Sequence, residues 1–392
     1  MTTSTTAPSR RAPAAPAPAA SDGERHTPVA GVLDVDGGRG FLRVGGYAQG
    51  AHDVTVPPER IRRYGLRKGD AVEGAAAGGG RGRTLVQVDR VGGLPAEAAR
   101  GRRHFEDLTP PHPSERLRLE SPKGGLATRV LDLLAPVGKG QRGLIVAPPK
   151  TGKTMLLRAV ADAVADNHPE CHLMVVLLDE RPEEVTEMRR SVRGEVIAST
   201  FDRTPRQHIA VAELAIERAK RLVETGRDVV VLLDSLTRLC RAHNNAASSG
   251  GRTLSGGVDA AALTGPKRLF GAARSAEEGG SLTILATALV ETGSRADDYF
   301  FEELKSTGNM ELRLDRALAD RRVFPAVDVH PSGTRREELL LSPAELAASH
   351  GLRRALRGGA GTGSFETLLA RLRATPDNAA FLRQIRGTVP AA

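Results

Sequence analysis

Apolar residues fall along the chain in two patterns. From about residue 28 to 93 they come as short extended runs, Val32-Leu33-Asp34-Val35, Phe41-Leu42-Arg43-Val44, Val54-Thr55-Val56, Ala71-Val72-Glu73 and Thr84-Leu85-Val86-Gln87-Val88, most of them separated by glycine-rich stretches. That spacing predicts a small all-β barrel or sandwich. After residue 126 the apolar runs end in polar loops and lead into segments of helical period: 143–147 before 155–164, 173–178 before 183–192, and 229–233 further on. Val211, Leu214, Ala215, Ala219, Leu222 and Val223 keep three-and-four spacing and stop before Gly226, as an amphipathic helix packed on a sheet does. Buried strands alternating with such helices predict a parallel α/β sheet.

Between the two patterns, residues 94–125 mix Pro95, Pro110, Pro111, Pro113 and Pro122 with Arg100, Arg102 and Arg103, a composition that suits a linker draped over a surface. Residues 1–27 begin with an Ala/Pro-rich stretch that has neither the apolar run of a signal peptide nor the means to pack a core. The expected organisation is a disordered tail at 1–27, a β domain at 28–93, a linker at 94–125 and an α/β domain at 126–392.

At 392 residues the chain is long enough for two domains without disulfides or metals to hold them. Fifty-six Lys and Arg against 47 Asp and Glu give a formal charge of +9, which favours polyanionic partners without naming one. Only Cys171 and Cys240 occur, too few for a disulfide framework or a cysteine zinc site, as in a protein of the reducing cytoplasm. The longest apolar runs are far too short to cross a bilayer, so no membrane association is expected.

The most specific chemical signal is Ala147-Pro148-Pro149-Lys150-Thr151-Gly152-Lys153-Thr154, a phosphate-binding loop in which Ala replaces the first Gly. A buried strand candidate precedes it and Met155-Leu156-Leu157 opens a helix after it, so backbone N–H groups converge on phosphate oxygens. Lys153 is placed to reach the β- and γ-phosphates of ATP, and the Thr154 hydroxyl to ligate Mg²⁺. Asp234, ending the run 229–234, is the expected metal-side carboxylate, because ligands bind at strand tips in open α/β sheets. Glu180, at the tip of the intervening strand, is expected to orient and deprotonate the attacking water. Asp179 beside it has no assigned role, and Glu183, Glu184 and Glu187 read as acids favoured at a helix start. Hydrolysis also needs positive charge on the transition state, and Arg313, Arg316, Arg321, Arg322, Arg335 and Arg336 offer it; spacing alone does not choose among them.

These motifs together resemble the bacterial transcription termination factor Rho family. The resemblance rests on Gly140-Gln141-Arg142-Gly143 leading into the phosphate loop, Leu178-Asp179-Glu180-Arg181-Pro182-Glu183-Glu184-Val185-Thr186-Glu187-Met188 and Leu233-Asp234-Ser235-Leu236-Thr237-Arg238. It rests also on Gly256-Gly257-Val258-Asp259-Ala260, Arg322-Val323-Phe324-Pro325-Ala326 and Ser332-Gly333-Thr334-Arg335, and spans roughly residues 30–385. It implies a RecA-like P-loop ATPase core preceded by an OB-fold β-barrel, assembled as a homohexameric ring that binds single-stranded RNA and moves toward RNA polymerase using ATP. Lys150, Thr151, Gly152, Lys153 and Thr154 would then bind nucleotide, with Thr154 and Asp234 on Mg²⁺ and Glu180 activating water. Arg335 would be the finger from a neighbouring subunit, Arg322 would assist at that interface, and Phe324 would pack on adenine. RNA contact would fall to Phe41, Arg43 and Arg62 in the β domain, to Arg252, Gly256 and Gly257 in a central-channel loop, and to Arg295 in a second one.

This chain departs from the family's pattern in its β domain, where Arg39 and Thr55 stand at places in which aromatics are common. Base stacking is thinned, and capture leans on Arg39, Arg43, Arg62 and Arg63 unless these form a solvated face. Two other readings remain at this stage: a rotary ATP synthase subunit, which needs no basic channel loop, and an RNA-binding protein without turnover, which would not need Lys153, Thr154, Glu180, Asp234 and Arg335 intact.

Overall fold

A computed structural model describes residues 26–79, 82–121, 123, 125–247, 253–358 and 363–386. Nearly all of the expected tail lies outside them. The first unit consists of β1 (Thr27–Asp36), β2 (Arg39–Arg43), β3 (Val54–Val56), α1 (Pro58–Tyr64), β4 (Ala71–Ala77), β5 (Thr84–Val91) and the short β6 (Leu94–Pro95). The strands pair in the order β3-β2-β1-β4-β5-β6, and an added β3–β5 pairing closes them into a barrel. Alternation sets its inside and outside: along β2, Gly40 and Leu42 point inward while Arg39, Phe41 and Arg43 share the outer face. Leu33, Leu42, Val54, Val56, Val72, Leu85 and Val91 fill the interior. Gly40 gives room here, since a Cβ would lie 2.8 Å from Ile61 Cδ1 of α1, the helix packed over this end of the barrel, and 3.0 Å from the Val56 carbonyl oxygen.

A connecting segment follows, with the two-residue strand β7 (Arg116–Leu117) pairing β8 (Val137–Gly138) on either side of α2 (Gly125–Leu134). It is more than a draped linker. Phe105 and Leu108 are buried against the sheet of the second unit, and Leu117 and Leu119 against α2 and α3. Its prolines leave it only short elements, but they do not prevent the apolar residues between them from being buried.

The second unit runs β9 (Arg142–Ala147), α3 (Lys153–Asn167), β10 (His172–Glu180), α4 (Pro182–Ser191), β11 (Glu195–Thr200), α5 (Pro205–Val223), β12 (Asp228–Asp234) and α6 (Leu236–Ala246). It continues through the small hairpin β13 (Thr253–Leu254) and β14 (Val258–Asp259), α7 (Thr264–Gly271), β15 (Arg274–Ser275), β16 (Ser281–Leu289) and α8 (Arg295–Lys305). β17 (Met310–Leu314), α9 (Arg316–Asp320), β18 (Val327–Thr334), α10 (Pro343–Gly358), α11 (Gly363–Arg373) and α12 (Asn378–Arg386) complete it. The sheet order is β11-β10-β12-β16-β9-β17-β18, parallel except for the edge strand β18 and the appended β15. Two apolar clusters lie on the two sides of this sheet, the arrangement of a RecA-like α/β domain.

The barrel is fastened to this sheet through α5. Gly69, at φ +89°, lies so close to the backbone of Glu217 that a Cβ would come within 2.3 Å of it. The fully buried carboxylate of Glu224, just past the end of α5, pairs with Arg67 of the barrel at 2.9 Å and Arg221 at 3.0 Å, and accepts from the Phe105 N–H at 2.9 Å. Burial raises its pKa despite the arginines around it. On the far side of the seam, the Tyr47 hydroxyl donates to Glu195 at 2.6 Å.

Candidate functional site

Because β9, β16, β12 and β10 are parallel neighbours, their C-terminal tips come together on one edge of the sheet. The loop after β9 turns with Lys150 and Gly152 in the left-handed region, at φ 67° and 90°. The buried Thr151 hydroxyl donates to Pro148 O at 2.7 Å and pins the loop from within. Gly152 then precedes α3, leaving the first N–H groups of the helix free for an anion.

Lys153 reaches across the β16 tip, and its ammonium donates to Asp234 Oδ1 at 2.5 Å and to Glu180 Oε1 at 3.4 Å. Two strand spacings, about 10 Å, separate β9 from β12, which a lysine stem of four methylenes at a helix start spans. Thr287 of the intervening β16 donates its hydroxyl to the same Asp234 oxygen at 2.8 Å. Asp234 and Glu180 are each only 3% exposed. Ser235, next along, accepts from the Arg238 N–H and caps α6, while the Asp234–Ser235 peptide is cis.

Glu180 follows a bulge in β10 at which Asp179 takes φ 57°. Arg238 holds the bulge by donating to the carbonyls of Leu178 and Asp179, and its guanidinium lies 3.2 Å from Glu180 Oε1. Burial and the nearby Asp234 charge raise the Glu180 pKa, with Lys153 and Arg238 opposing. A carboxyl shifted in this direction holds a proton more readily than an ordinary glutamate, which suits a group that takes one from water. Thr287 is absent from the sequence reading, and Arg238 enters it only as the end of a motif, with no role assigned. Their contacts depend on strand order, which no local pattern gives.

Phe324, 37% exposed, closes one side of the loop: a Cβ on Gly152 would touch its ring edge at 3.4 Å. The Phe324–Pro325 bond is cis, and Arg322 two residues earlier is exposed at φ 60°. Thr154 is exposed on the first turn of α3, and Met155 beside it is 75% exposed, a large apolar side chain that sequence reasoning passed over. Arg335 stands elsewhere. Its N–H donates to Asn309 O, and Asn309 in turn bonds Arg142 at the start of β9, so four or five residues of strand, roughly 15 Å, separate it from the phosphate loop of its own chain. It makes no side-chain hydrogen bond or ion pair among the described residues, and with burial and Arg274 it holds the Arg142 guanidinium below its ordinary pKa.

The expected RNA contacts divide into two places. Gly256 and Gly257, at φ 75° and 77°, turn the β13–β14 hairpin, and a Cβ on Gly256 would lie 2.9 Å from Ala296 N, at the start of α8. The β13–β14 hairpin therefore packs directly against the helix that begins with the exposed Arg295. Arg252 lies outside the described residues. On the barrel, Phe41 is half-buried on the outer face and Arg62 is exposed, whereas Arg43 is held by Asp34 and Asp53, each at 2.5 Å.

Two known families match the two units. The "Rho termination factor, RNA-binding domain" family matches residues 29–97, and the "ATP synthase alpha/beta family, nucleotide-binding domain" matches residues 127–334. The transcription termination factor Rho of Streptomyces coelicolor is 72% identical over 364 residues, covering 93% of this chain and 87% of that one. That of Streptosporangium roseum is 60% identical over 389 residues, covering 99% and 100%. The Streptomyces lividans factor is 60% identical over 369 residues, and this chain spans 52% of its length. Among solved structures, an ATPase of a bacterial type III secretion system superposes with a TM-score of 0.57 at 22% identity, over 67% of this chain and 83% of that one, a likeness of fold.

Proposed function

The chain belongs to the transcription termination factor Rho family, and from that membership we propose an ATPase that moves along single-stranded RNA toward RNA polymerase in the cytoplasm and ends transcription there. The observation that carries the proposal is the convergence of Lys153, Asp234 and Glu180 at one sheet edge, in a chain that also carries the family's RNA-binding barrel. Lys150 and Lys153, with the N–H groups at the start of α3, bind the phosphates. Two buried carboxylates and the Thr154 hydroxyl make an all-oxygen donor set that suits Mg²⁺ shared with phosphates, so Thr154 and Asp234 would hold the ion. When bound, the ion neutralises charge on the β- and γ-phosphates. Lys153, freed from Asp234 by the incoming phosphates, turns its charge to them, and Glu180 orients the attacking water and takes its proton. Phe324 packs on the adenine, with the exposed Met155 nearby.

Arg335 cannot serve the loop of its own chain from the opposite end of β9, so it completes a site only when a second copy is adjacent. A homohexameric ring meets this requirement at every seam, and Arg322, beside its own loop, assists at the same interface. Gly256 against the start of α8 couples the two channel loops, so RNA held by Arg252 and Arg295 moves both together. A rotary synthase subunit has no use for a barrel of the RNA-binding family, and intact catalytic groups disfavour a binder without turnover.

The test is ATP hydrolysis with and without single-stranded RNA. Stimulation is expected, and Arg335→Ala is expected to lower stimulated turnover by about a thousandfold while nucleotide still binds. Hydrolysis indifferent to every RNA supplied removes the translocase reading.

A further inference from the structure

Resting on the reading of Glu180 as the base, we infer that His208 is a positioning residue for hydrolysis: bridging Ser199 and Asp179, it staples the bulge in β10 that aims Glu180. The bulge decides which acid stands at the strand tip. Leu178 pairs with Ser199 of β11, and Glu180, not Asp179, pairs with the next residue, Thr200. Two residues of β10 therefore oppose one of β11, and the extra one, Asp179, sits at φ 57°, a left-handed conformation uncommon outside glycine. A regular register would set Asp179 opposite Thr200 and turn Glu180 to the other face, since one residue of slip reverses every side chain beyond it. Glu180 stands beside Lys153 only while the bulge lasts.

Such a backbone persists where its surroundings over-determine it. Arg238 donates to the carbonyls of Leu178 and Asp179, and the Phe201 N–H donates to the Glu180 carbonyl at 3.2 Å. Both act on the backbone. His208 approaches the Asp179 side chain from the first turn of α5. Its N–H donates to Thr204 O at 3.1 Å, and the Thr204–Gln207 capping box fixes the start of that helix. Nδ1 lies 2.8 Å from Ser199 Oγ, and Nε2 lies 3.9 Å from Asp179 Oδ1. The two ring nitrogens thus face the last regular pair before the bulge and the extra residue within it.

His208 and Ser199 are 5% and 3% exposed, so neither exchanges this arrangement for water. Burial holds the imidazole below its ordinary pKa; Arg238 adds to this, while Asp179 and Asp202 oppose it. The ring is therefore neutral at pH 7 and carries a single N–H. With the Ser199 hydroxyl donating to Nδ1, that N–H is at Nε2, toward the Asp179 carboxylate. One ring so placed links β11 to the residue that β10 has in excess.

The experiment is a double-mutant cycle on the full chain, with hydrolysis measured at saturating ATP and poly(C) and ATP affinity measured alongside. His208→Leu keeps apolar bulk and removes both nitrogens. Its kcat should fall by about ten- to a hundredfold, the scale on which a misplacement of about 1 Å is felt, with ATP affinity within about twofold. His208→Gln, whose amide again offers an N–H toward Asp179, should recover most of that loss. In Glu180→Gln, where no base is left to aim, His208→Leu should lower the remaining rate by less than about twofold. Ser199→Ala, which releases the ring from β11, should show the same dependence on Glu180 with a smaller fall, and replaces His208→Leu in the cycle if that protein does not fold. A loss that recurs in full on the Glu180→Gln background, or no loss on the parental one, overturns the inference. A Glu180→Gln protein that hydrolyses at the parental rate defeats instead the base assignment on which the inference rests.

Discussion

The sheet edge proposed to hold nucleotide and the outer face of the barrel proposed to meet RNA are built in opposite ways. At the sheet edge Lys153, Glu180, Asp234 and Arg238 are nearly or largely enclosed, and each faces an opposite charge within 3.4 Å. Removing one leaves another charge stranded in a medium where Coulomb forces are strong. On the barrel, Arg39 and Arg62 stand in water, and the tightly paired cation of that face, Arg43, is engaged with its own scaffold. The first region makes chemistry depend on every member. In the second, the exposed cations would add a modest attraction without depending on one another.

The severest test of this contrast is Glu180→Gln. It should lower turnover by about a hundredfold to ten-thousandfold, the range for losing a general base, with nucleotide affinity kept. The same residue sets a pH test. Burial and Asp234 raise its pKa, and the ionised form accepts the proton, so kcat/KM should fall as pH drops through a value above the ordinary glutamate range. An acid limb at the usual position for glutamate would show that Glu180 does not act as the base. A smaller effect, on stability, is expected at the join between the two regions. Gly69→Ala adds a methyl against the Glu217 backbone at a positive φ, and should cost about 1–3 kcal/mol, read as a lowered Tm. The smallest effect belongs to Arg62→Gln, for which RNA affinity should drop by about two- to fivefold and turnover at saturating RNA should not change. If Arg62→Gln were as damaging as Glu180→Gln, the contrast between the two regions would be lost.

Much of this architecture is legible in the chain itself. Alternation in the runs around Leu33, Leu42 and Val54 marks the barrel, and the runs ending at Ala147, Glu180 and Asp234 mark three strands of the sheet and the groups at their tips. β16 is less legible because Thr283 and Thr287 interrupt its apolar run. In the structure both are buried, one accepting from the Gly140 N–H and the other donating to Asp234. A polar residue inside a strand reads as a surface position until its distant partner is known. The same holds for Arg43, whose engagement with Asp53 comes from the other side of a hairpin. It holds again for the proline-rich connector, where Phe105 is buried against elements more than a hundred residues away. Sequence spacing pointed to the polar groups at the strand tips; strand order decided which of them meet.

Glu224 ties these regions together mechanically. A carboxylate sealed from water and clasped by guanidiniums from both units leaves the joint without a swivel, because opening it would strip a charge of every partner at once. On the proposed function, a pull on RNA held at the barrel would reach α5 through this joint. From there it would pass to the sheet that carries Glu180 and Asp234, so that barrel and sheet would act as one lever.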